Sequence, residues 1–498
     1  MIFKARRTKI VSGSTKVGII HEDDACKYEI HGGDRLHLIN GKKHCHIVVD
    51  ITNNHKTVKQ GEIALFKEVS EELGLKKNIK IKVNFSGKPK SIKYIKEKLN
   101  GKTLSYNKLN EITQDIVYER LTEIEISYFT AACYIHGLND KETSDLTKAM
   151  IETGDRLTLK EEIVLDKHCT GGVAGNRTTM IVVPIIAAAG LKIPKTSSRS
   201  ITSPAGTADT MEVLTKVTVP LKKMKNIVEK YNGCIVWGGA MNLAPSDDKI
   251  IKVEHPLSID AEGQMLASIL AKKGSVGAKY VLIDIPIGNE TKVKTKKSAK
   301  ELARKFIKIG KLLKMKMDVI ITHGNEPIGN GIGPSLEAKD VLKVLMQEED
   351  RPKDLEKKGI KLAGKMFEMC GKCRKGKGKK LAKEILESGL AIEKMREIIY
   401  AQGGKKYIKP ENIKTARHKH NIKAKKNCKV IDLNNSLISK TARIAGAPFD
   451  QEAGLFIHKH EKERVKKGET IITLYANSKE KLKFAKDFYN KNPVVVLK

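Results

Sequence analysis

Two segments rich in glycine and hydroxyl side chains, on either side of an apolar stretch, restrict the fold of this chain most strongly. The first covers residues 166–179, the second covers 197–209, and residues 180–191 between them are largely apolar. Glycines let main-chain N–H groups approach a ligand, hydroxyls add donors, and a following helix presents the positive end of its dipole. Each segment also carries cations, so the pair predicts an oxyanion-binding site. Tight turns without a ligand are the alternative.

The surrounding pattern predicts an α/β fold. Residues 163–165 are strand-like and lead into the first segment, and residues 177–189 predict a closely packed helix. Further strands are predicted at 233–237, 280–284 and 319–322, and further helices at 298–313, 336–346 and 380–401. This alternation is typical of a doubly wound sheet, in which ligands bind beyond the carboxyl ends of the strands.

The regions on either side of this pattern differ from it. Short alternating runs broken by glycine turns predict an N-terminal β-rich domain at residues 1–87. Helical spacing predicts a helical domain at residues 88–162, ahead of an α/β phosphate-binding domain at 163–426. Strands return in a C-terminal α+β domain at residues 427–498. The chain is therefore predicted to contain four domains.

The formal charge is +36, from 94 Lys and Arg against 58 Asp and Glu. Such a charge fits nucleic-acid binding through phosphate neutralisation, and it also fits the lysine-rich surface of a heat-adapted protein. Aromatic residues make up only 5% and no nucleic-acid-binding motif is visible, so we expect no nucleic-acid partner. A positive field also concentrates anionic substrates.

The sequence predicts a cytoplasmic protein without a membrane partner. A membrane span needs about 18 consecutive apolar residues, and the sequence has no such run. The first residues also lack the apolar segment of a signal peptide. The eight cysteines are scattered along the chain, which indicates reduced thiols and not a disulfide framework.

The two segments resemble the nucleoside phosphorylase family that includes thymidine phosphorylase. Residues 167–172, Lys-His-Cys-Thr-Gly-Gly, are similar to its phosphate loop, with Cys169 where the family usually carries serine. Residues 198–212 are similar to its second signature, Ser-x-Arg followed by Gly-Thr-x-Asp and Glu. The resemblance covers roughly residues 88–498 and implies a type II-like nucleoside phosphorylase fold, whose helical domain would be completed by residues 245–275.

Within this family the archaeal-type AMP phosphorylase branch is the closer match. It shares Ser-Arg-Ser-Ile-Thr-Ser at 198–203, Asn-Leu-Ala-Pro at 242–245 and the extension at 1–87. The base-contacting arginine of thymidine phosphorylases would fall near Val253, which cannot make that contact. The resemblance therefore implies phosphorolysis of nucleoside 5′-monophosphates. AMP and phosphate would give adenine and ribose 1,5-bisphosphate, with CMP and UMP as further substrates.

The resemblance also implies which residues hold the anions. The candidate substrate-binding residues in the two segments are Lys167, Gly171, Gly172, Thr179, Ser198, Arg199, Ser200, Ile201, Thr202, Ser203 and Thr207. Lys292, after the strand predicted at 280–284, would meet the 5′-phosphate. No metal and no organic cofactor is implied.

The catalytic candidates are Asp260 and His168. By resemblance, Asp260 would donate a proton to the leaving base, which requires that burial raise its pKa. His168 would face the base, which Ser268 and Lys272 would contact from one face of a predicted helix. The alternatives are packing for His168, a helix cap for Asp260 and an exposed helix face for the other two.

Other functions stay open at this point. A pyrimidine nucleoside phosphorylase would act on thymidine or uridine but not on AMP. A phosphoribosyltransferase similar to the anthranilate enzyme would depend on magnesium, for which Asp247 and Asp248 are the tempting pair. An RNA-binding protein would show steeply salt-dependent RNA binding without phosphorolysis. The family resemblance also implies a homodimer or larger homo-oligomer.

Overall fold

The computed structural model describes residues 1–13, 15–76, 79–200, 203–257, 259 and 261–498. The chain forms two compact units, one of residues 1–149 with 246–264 and the other of residues 150–245 with 265–498. The four predicted domains are a finer division than these two units and stay a prediction.

Six strands at the start of the first unit form a closed barrel with strand order β1-β5-β2-β4-β3-β6. Its strands are β1 (Ile2–Arg7), β2 (Val17–His21), β3 (Arg35–Asn40), β4 (Lys43–Thr52), β5 (Glu62–Leu65) and β6 (Lys80–Phe85), with α1 (Glu22–Tyr28) and α2 (Lys67–Glu72) between them. Alternate side chains such as Leu36, Leu38, Ile47 and Val49 are buried and fill the interior. That this barrel is a separate N-terminal domain stays a prediction.

Four helices follow the barrel, and the last of them reaches the start of the second unit. They are α3 (Ser91–Leu99), α4 (Tyr106–Val117), α5 (Glu123–His136) and α6 (Asp140–Glu152). Helix α5 begins with a capping box, because the Thr122 hydroxyl accepts from the Glu125 N–H while the Glu125 carboxylate accepts from the Thr122 N–H.

Five parallel strands of the second unit carry the predicted phosphate-binding segments. They are β7 (Leu165–Cys169), β8 (Ile193–Ser197), β9 (Gly233–Trp237), β10 (Tyr280–Ile287) and β11 (Lys316–His323). One sheet has the order β11-β10-β7, the other pairs β8 with β9, and a parallel bridge from Val164 to Lys192 joins them. Across this bridge the strands lie in the order β9-β8-β7-β10-β11. The chain therefore adds strands on one side of β7 first, as β8 and β9, and then on the other side, as β10 and β11, so the strand order switches between β7 and β10. This is the switch point at which folds of this class bind ligands.

The helices from residue 178 to residue 402 alternate with these strands or follow them. They are α7 (Thr178–Ala188), α8 (Thr207–Glu212), α9 (Leu221–Tyr231), α10 (Pro245–Glu254), α11 (Glu262–Ser275), α12 (Lys296–Leu312), α13 (Pro334–Leu345), α14 (Lys353–Met369), α15 (Gly378–Glu387) and α16 (Leu390–Gln402). Helix α7 is buried on every side from Thr178 to Ala187, which explains the apolar stretch.

Two secondary-structure predictions are wrong. The helix predicted at 380–401 is two helices, because Gly389 takes a left-handed φ of +81° and ends the first of them. The strand predicted at 163–165 instead runs from Leu165 to Cys169. Backbone pairing with Tyr280–Asp284 extends it, and buried ion pairs compensate its charged side chains. Lys167 and His168 are therefore strand residues.

The C-terminal part of the second unit is an α+β arrangement. Its strands are β12 (Gly331–Ile332), β13 (His418–Lys423), β14 (Cys428–Leu433), β15 (Gly454–Ile457), β16 (Arg464–Val465), β17 (Thr470–Ala476) and β18 (Val495–Leu497), with helices α17 (Asn435–Ala445) and α18 (Lys479–Lys491). The sheet orders are β12-β15-β17-β13 and β16-β14-β18. No helix among the described residues has both the length and the apolar character that a membrane crossing requires.

Candidate active site

The candidate site lies at the carboxyl edge of the parallel strands in the second unit. Both predicted segments leave a strand there, since residues 170–177 follow β7 and residues 198–206 follow β8. The segment after β10 returns to the same edge. A Cβ atom at Gly172 would lie 2.6 Å from the Thr291 Cα atom and 3.1 Å from the Lys292 nitrogen. Glycine is thus required at this contact, and the backbone of Lys292 lies beside the first loop.

Lys167 reaches from β7 to the start of α7. Its buried Nζ atom donates to the Thr178 hydroxyl at 2.9 Å and to the Thr179 hydroxyl at 3.4 Å. The pKa of Lys167 is lowered overall, because the effect of burial exceeds the opposing effect of the neighbouring Asp284 charge. A bound anion at the amino end of α7 would favour the charged ammonium form and would also meet the positive end of the helix dipole.

The second loop is organised by carboxylates. Arg199 donates to both Glu212 oxygens at 2.5 and 2.6 Å and to Asp209 at 3.2 Å. Its bonds to Glu212 raise the pKa of the Arg199 guanidinium. The other oxygen of Asp209 accepts from the backbone N–H groups of Ser200 and Gly206 at 2.7 and 2.8 Å. The predicted anion ligand Arg199 is therefore paired with two carboxylates of α8, the helix that follows its loop.

The remaining candidates of the second loop are also held close to one another. Ser203 donates to the Ala205 carbonyl at 3.0 Å, and Ser200 donates to the Ser203 carbonyl. A Cβ atom at residue 206 would lie 2.5 Å from the Ser198 carbonyl oxygen, so the backbone of Gly206 lies directly against that of Ser198. The candidates Ile201 and Thr202 lie outside the described residues.

His168 and Asp166 extend from β7 on the face opposite Lys167, as expected from the alternation of side chains along a strand. Asp166 is buried between two buried lysines, 3.0 Å from the Lys195 Nζ atom and 2.9 Å from the Lys273 Nζ atom. Burial alone would raise the pKa of Asp166, but the two ammonium groups hold it below its ordinary value.

The surroundings of the His168 side chain favour a neutral imidazole. Burial lowers its pKa well below the ordinary value, and the charges of Lys273, Lys195, Lys167 and Lys272 lower it further. The structure thus brings His168 together with Lys272, the candidate from α11. A neutral ring can donate at one nitrogen and accept at the other, but it cannot supply a positive charge.

We expect the imidazole of His168 to stay neutral at pH values well below the usual histidine midpoint of about 6.5. NMR of the enzyme labelled at histidine ring carbons measures this directly, and a His168→Gln variant identifies the signal. A His168 signal that titrates near the ordinary midpoint would contradict the predicted environment.

Helix α11 carries both candidates for base contact, Ser268 and Lys272, one turn apart on the same face. Asp260, the expected proton donor, lies outside the described residues. The role of Asp260 stays a prediction based on the sequence alone.

Sequence reasoning missed several charged residues of this site. Asp166, Lys195 and Lys273 form one buried group, and Asp284 forms another, with the Lys358 Nζ atom at 3.0 Å and the Thr322 hydroxyl at 2.6 Å. A sequence signal for them existed. A buried strand rarely contains an unpaired carboxylate, so an aspartate within one indicates a cation elsewhere in the chain.

The single tryptophan of the chain provides a probe of the second loop. The Arg199 guanidinium lies 4.9 Å from the Trp237 ring centroid. We expect phosphate or AMP to change the fluorescence of Trp237 in a saturable way, because an anion competes for Arg199 and alters this cation–π contact. The control is a chloride salt, added without sulfate to the same ionic strength. Fluorescence that stays constant at saturating concentrations of both ligands would count against anion binding at this loop.

Three family models match the chain. They are a glycosyl transferase family α/β domain at residues 161–392, the helical bundle domain of the same family at 92–154, and a pyrimidine nucleoside phosphorylase C-terminal domain at 430–494. The parallel sheet and its loops lie in the first of these matches. These matches place the chain in the class of glycosyl transferases.

Relatives that match over nearly the whole chain identify a family within this class. The chain is 43% identical to AMP phosphorylase 1 of Archaeoglobus fulgidus over 497 residues, covering 100% of the chain and 97% of the relative. It is 46% identical to the AMP phosphorylase of Pyrococcus furiosus, covering 93% and 91%, and 45% identical to that of Thermococcus kodakarensis, covering 96% and 94%. The chain belongs to the AMP phosphorylase family.

Solved structures agree on the fold. Anthranilate phosphoribosyltransferase from Thermus thermophilus superposes with a TM-score of 0.53 at 18% identity, covering 62% of this chain and 98% of the other. The enzyme from Saccharomyces cerevisiae, in complex with PRPP and Mg, gives 0.52 at 16% identity, covering 64% and 98%. At these identities the likeness concerns the fold alone.

Proposed function

We propose that this chain is a pentosyltransferase that phosphorolyses nucleoside 5′-monophosphates. AMP and phosphate would give adenine and ribose 1,5-bisphosphate, with CMP and UMP as further substrates. The observation that carries this proposal is the similarity of the whole chain to AMP phosphorylases, at 43% identity over 497 residues for the Archaeoglobus fulgidus protein. The donor-rich loops at the sheet switch point support it, since they suit two anionic substrates.

In this proposal the first loop holds inorganic phosphate. Lys167, Gly171, Gly172 and Thr179 would supply its cation, its close backbone approach and a hydroxyl donor. Serines 198, 200 and 203, Arg199 and Thr207 would bind anionic oxygens from the second loop, together with Ile201 and Thr202. Holding phosphate beneath the sugar makes the reaction effectively unimolecular, and the donors stabilise charge that moves as the base departs.

The base and the 5′-phosphate would be recognised by other groups. Ser268 and Lys272 would contact the base from α11, with the neutral His168 ring nearby. Lys292 would meet the 5′-phosphate, which its backbone position beside Gly172 supports. Asp260 would protonate the leaving base, because a purine or pyrimidine departs more easily as a neutral molecule.

The domain division at 1–87, 88–162 with 245–275, 163–426 and 427–498 belongs to the same proposal. So does a homodimer or larger homo-oligomer, which light scattering tests and which a monomer at working concentrations would contradict. The cytoplasmic location stays a prediction.

Incubation with each 5′-nucleotide and nucleoside, with and without phosphate, tests the proposed function. We expect release of free base from AMP only when phosphate is present, and a much lower rate with Asp260→Asn. Release of uracil or thymine from nucleosides but no adenine from AMP would favour the pyrimidine nucleoside enzyme. A reaction that needs magnesium and a diphosphate substrate would favour the phosphoribosyltransferase.

A further inference from the structure

A buried arginine connects the two loops. Arg177 ends the first loop, and its Nη2 atom donates to the Ala205 carbonyl of the second loop at 2.6 Å. Its Nη1 atom donates to the Thr207 hydroxyl and to the Asn176 carbonyl, both at 3.4 Å. Its Nε atom donates to the buried Glu337 carboxylate. One planar guanidinium thus contacts both loops at once.

Glu337 holds this arginine in place from α13. The same carboxylate oxygen that accepts from Arg177 also accepts from the Thr210 hydroxyl of α8 at 2.9 Å. Its other oxygen accepts from the Gly333 N–H at 3.2 Å. The helix that follows the second loop and the arginine that ends the first loop therefore share one buried counter-charge.

The bonding pattern also orients hydroxyl groups. The Thr207 oxygen accepts a hydrogen bond from Arg177, and the Thr179 oxygen accepts one from Lys167. A hydroxyl that accepts from a cation keeps its own proton for another acceptor. Both threonines can therefore donate to a bound anion, each from the first turn of the helix that follows one of the loops.

We propose that Arg177 is a positioning residue for phosphate, which fixes the distance between the two loops and turns the Thr207 hydroxyl toward the anion. The proposal rests on the proposed function. Four of the five N–H donors of Arg177 already have acceptors, on Glu337, Ala205, Asn176 and Thr207, so we assign it a role in holding the loops and not in binding the anion. The planar fork of arginine suits this bridge, since a lysine could not donate in so many fixed directions.

Arg177→Met tests this role through a split between the two substrates. We expect the KM for phosphate to rise roughly 10-fold to 100-fold, because a small misplacement of donors is costly, while the KM for AMP stays within about threefold. Arg177→Lys should restore part of the phosphate affinity. In Thr207→Val, which already lacks the hydroxyl, Arg177→Met should have a smaller effect than in the wild type.

Arg351→Met is the matched control. Arg351 also pairs through its Nε atom with a glutamate, Glu356 at 2.9 Å, and donates to the Glu348 carbonyl at 2.8 Å, and both of these partners lie outside the two loops. We expect this variant to lose stability with both KM values unchanged. Phosphate can also be titrated into each enzyme without AMP while Trp237 fluorescence is recorded. This compares the phosphate affinity of the two variants and the wild type without turnover.

The outcomes separate this inference from the proposed function. A wild-type enzyme without phosphorolysis would remove the proposed function. An active wild type whose Arg177→Met variant keeps the phosphate KM within about twofold, or raises both KM values together, would overturn the positioning role alone. If Arg177→Met does not fold, the same measurements on Arg177→Lys decide, with a phosphate-selective rise of at least about threefold expected.

Discussion

Asp166→Asn lowers the free energy of unfolding by roughly 3–5 kcal/mol at neutral pH, the range expected when one partner of a buried charge group is removed. Asparagine keeps the shape of the side chain but leaves the ammonium groups of Lys195 and Lys273 without their carboxylate, 3.0 and 2.9 Å away in the wild type. The three side chains connect β7, β8 and α11. The substitution should therefore destabilise the packing of the elements that carry the candidate site.

The deficit of this variant depends on pH. Burial lowers the pKa of Lys273 below its ordinary value, and Asp166 opposes that shift. Without the carboxylate, the pKa falls further, so the folded variant releases this proton at a lower pH than the folded wild type. The unfolded chain keeps the proton up to its ordinary pKa, so stability rises with pH in this window, and it rises more for the variant. The pKa of Lys273 is about 7 in the wild type, so the deficit should shrink as the pH rises towards that value and stay nearly constant at higher pH, where both folded proteins have already released the proton.

Urea unfolding followed by Trp237 fluorescence measures the effect in the unit that contains Asp166. Asp318→Asn is the control, because its pair with Lys365 is 2.7 Å long but about a third of each side chain is exposed, at 36% and 31%. An exposed pair contributes about 1 kcal/mol or less. Equal losses in the two variants would show that the buried group does not carry the stability assigned to it.

Lys167→Met lowers kcat/KM for AMP phosphorolysis by about 10³-fold, the size expected when a preorganised donor to a transition-state anion is removed. Methionine replaces most of the buried chain of the lysine but removes the ammonium group beside Thr178 and Thr179. The fold should tolerate the change, because Asp284 keeps Lys358 as its ionic partner at 3.0 Å.

Lys192→Met separates this effect from general damage. Lys192 is another buried lysine of the same unit, and its Nζ atom donates to the Glu229 carbonyl and to Asn232 at 2.8 and 2.9 Å, away from both loops. We expect it to cost stability and to leave kcat/KM nearly unchanged. Lys167→Met activity within about fivefold of the wild type would contradict the assigned role of this lysine.

The loops could be predicted from the sequence because their chemistry is local. Glycines, hydroxyls and cations lie next to one another at 166–179 and 197–209, and the apolar run between them indicates a buried helix. The strand at 233–237 is confirmed with the same bounds, and those at 280–284 and 319–322 are confirmed as parts of longer strands, since each is a largely apolar run of strand length.

The charged frame of the site could not be predicted in the same way. Arg177 finds Glu337, and Asp284 finds Lys358, through contacts between elements far apart in the chain. Nothing near Asp166 in the sequence indicates that Lys273 will neutralise it. For the same reason the sequence places strand β7 too early, at 163–165 and not at Leu165–Cys169, because a strand with three consecutive charged or polar side chains is compatible with burial only once these partners are known.

Phosphorolysis with phosphate labelled by oxygen-18 tests the central claim most directly, namely that the two loops hold inorganic phosphate as the group that replaces the base. We predict that adenine appears only with phosphate, and that mass spectrometry finds a ribose bisphosphate carrying the label in its new 1-phosphate and none in its 5-phosphate. Adenine released together with unlabelled ribose 5-phosphate, at a rate that does not depend on phosphate, would contradict the account.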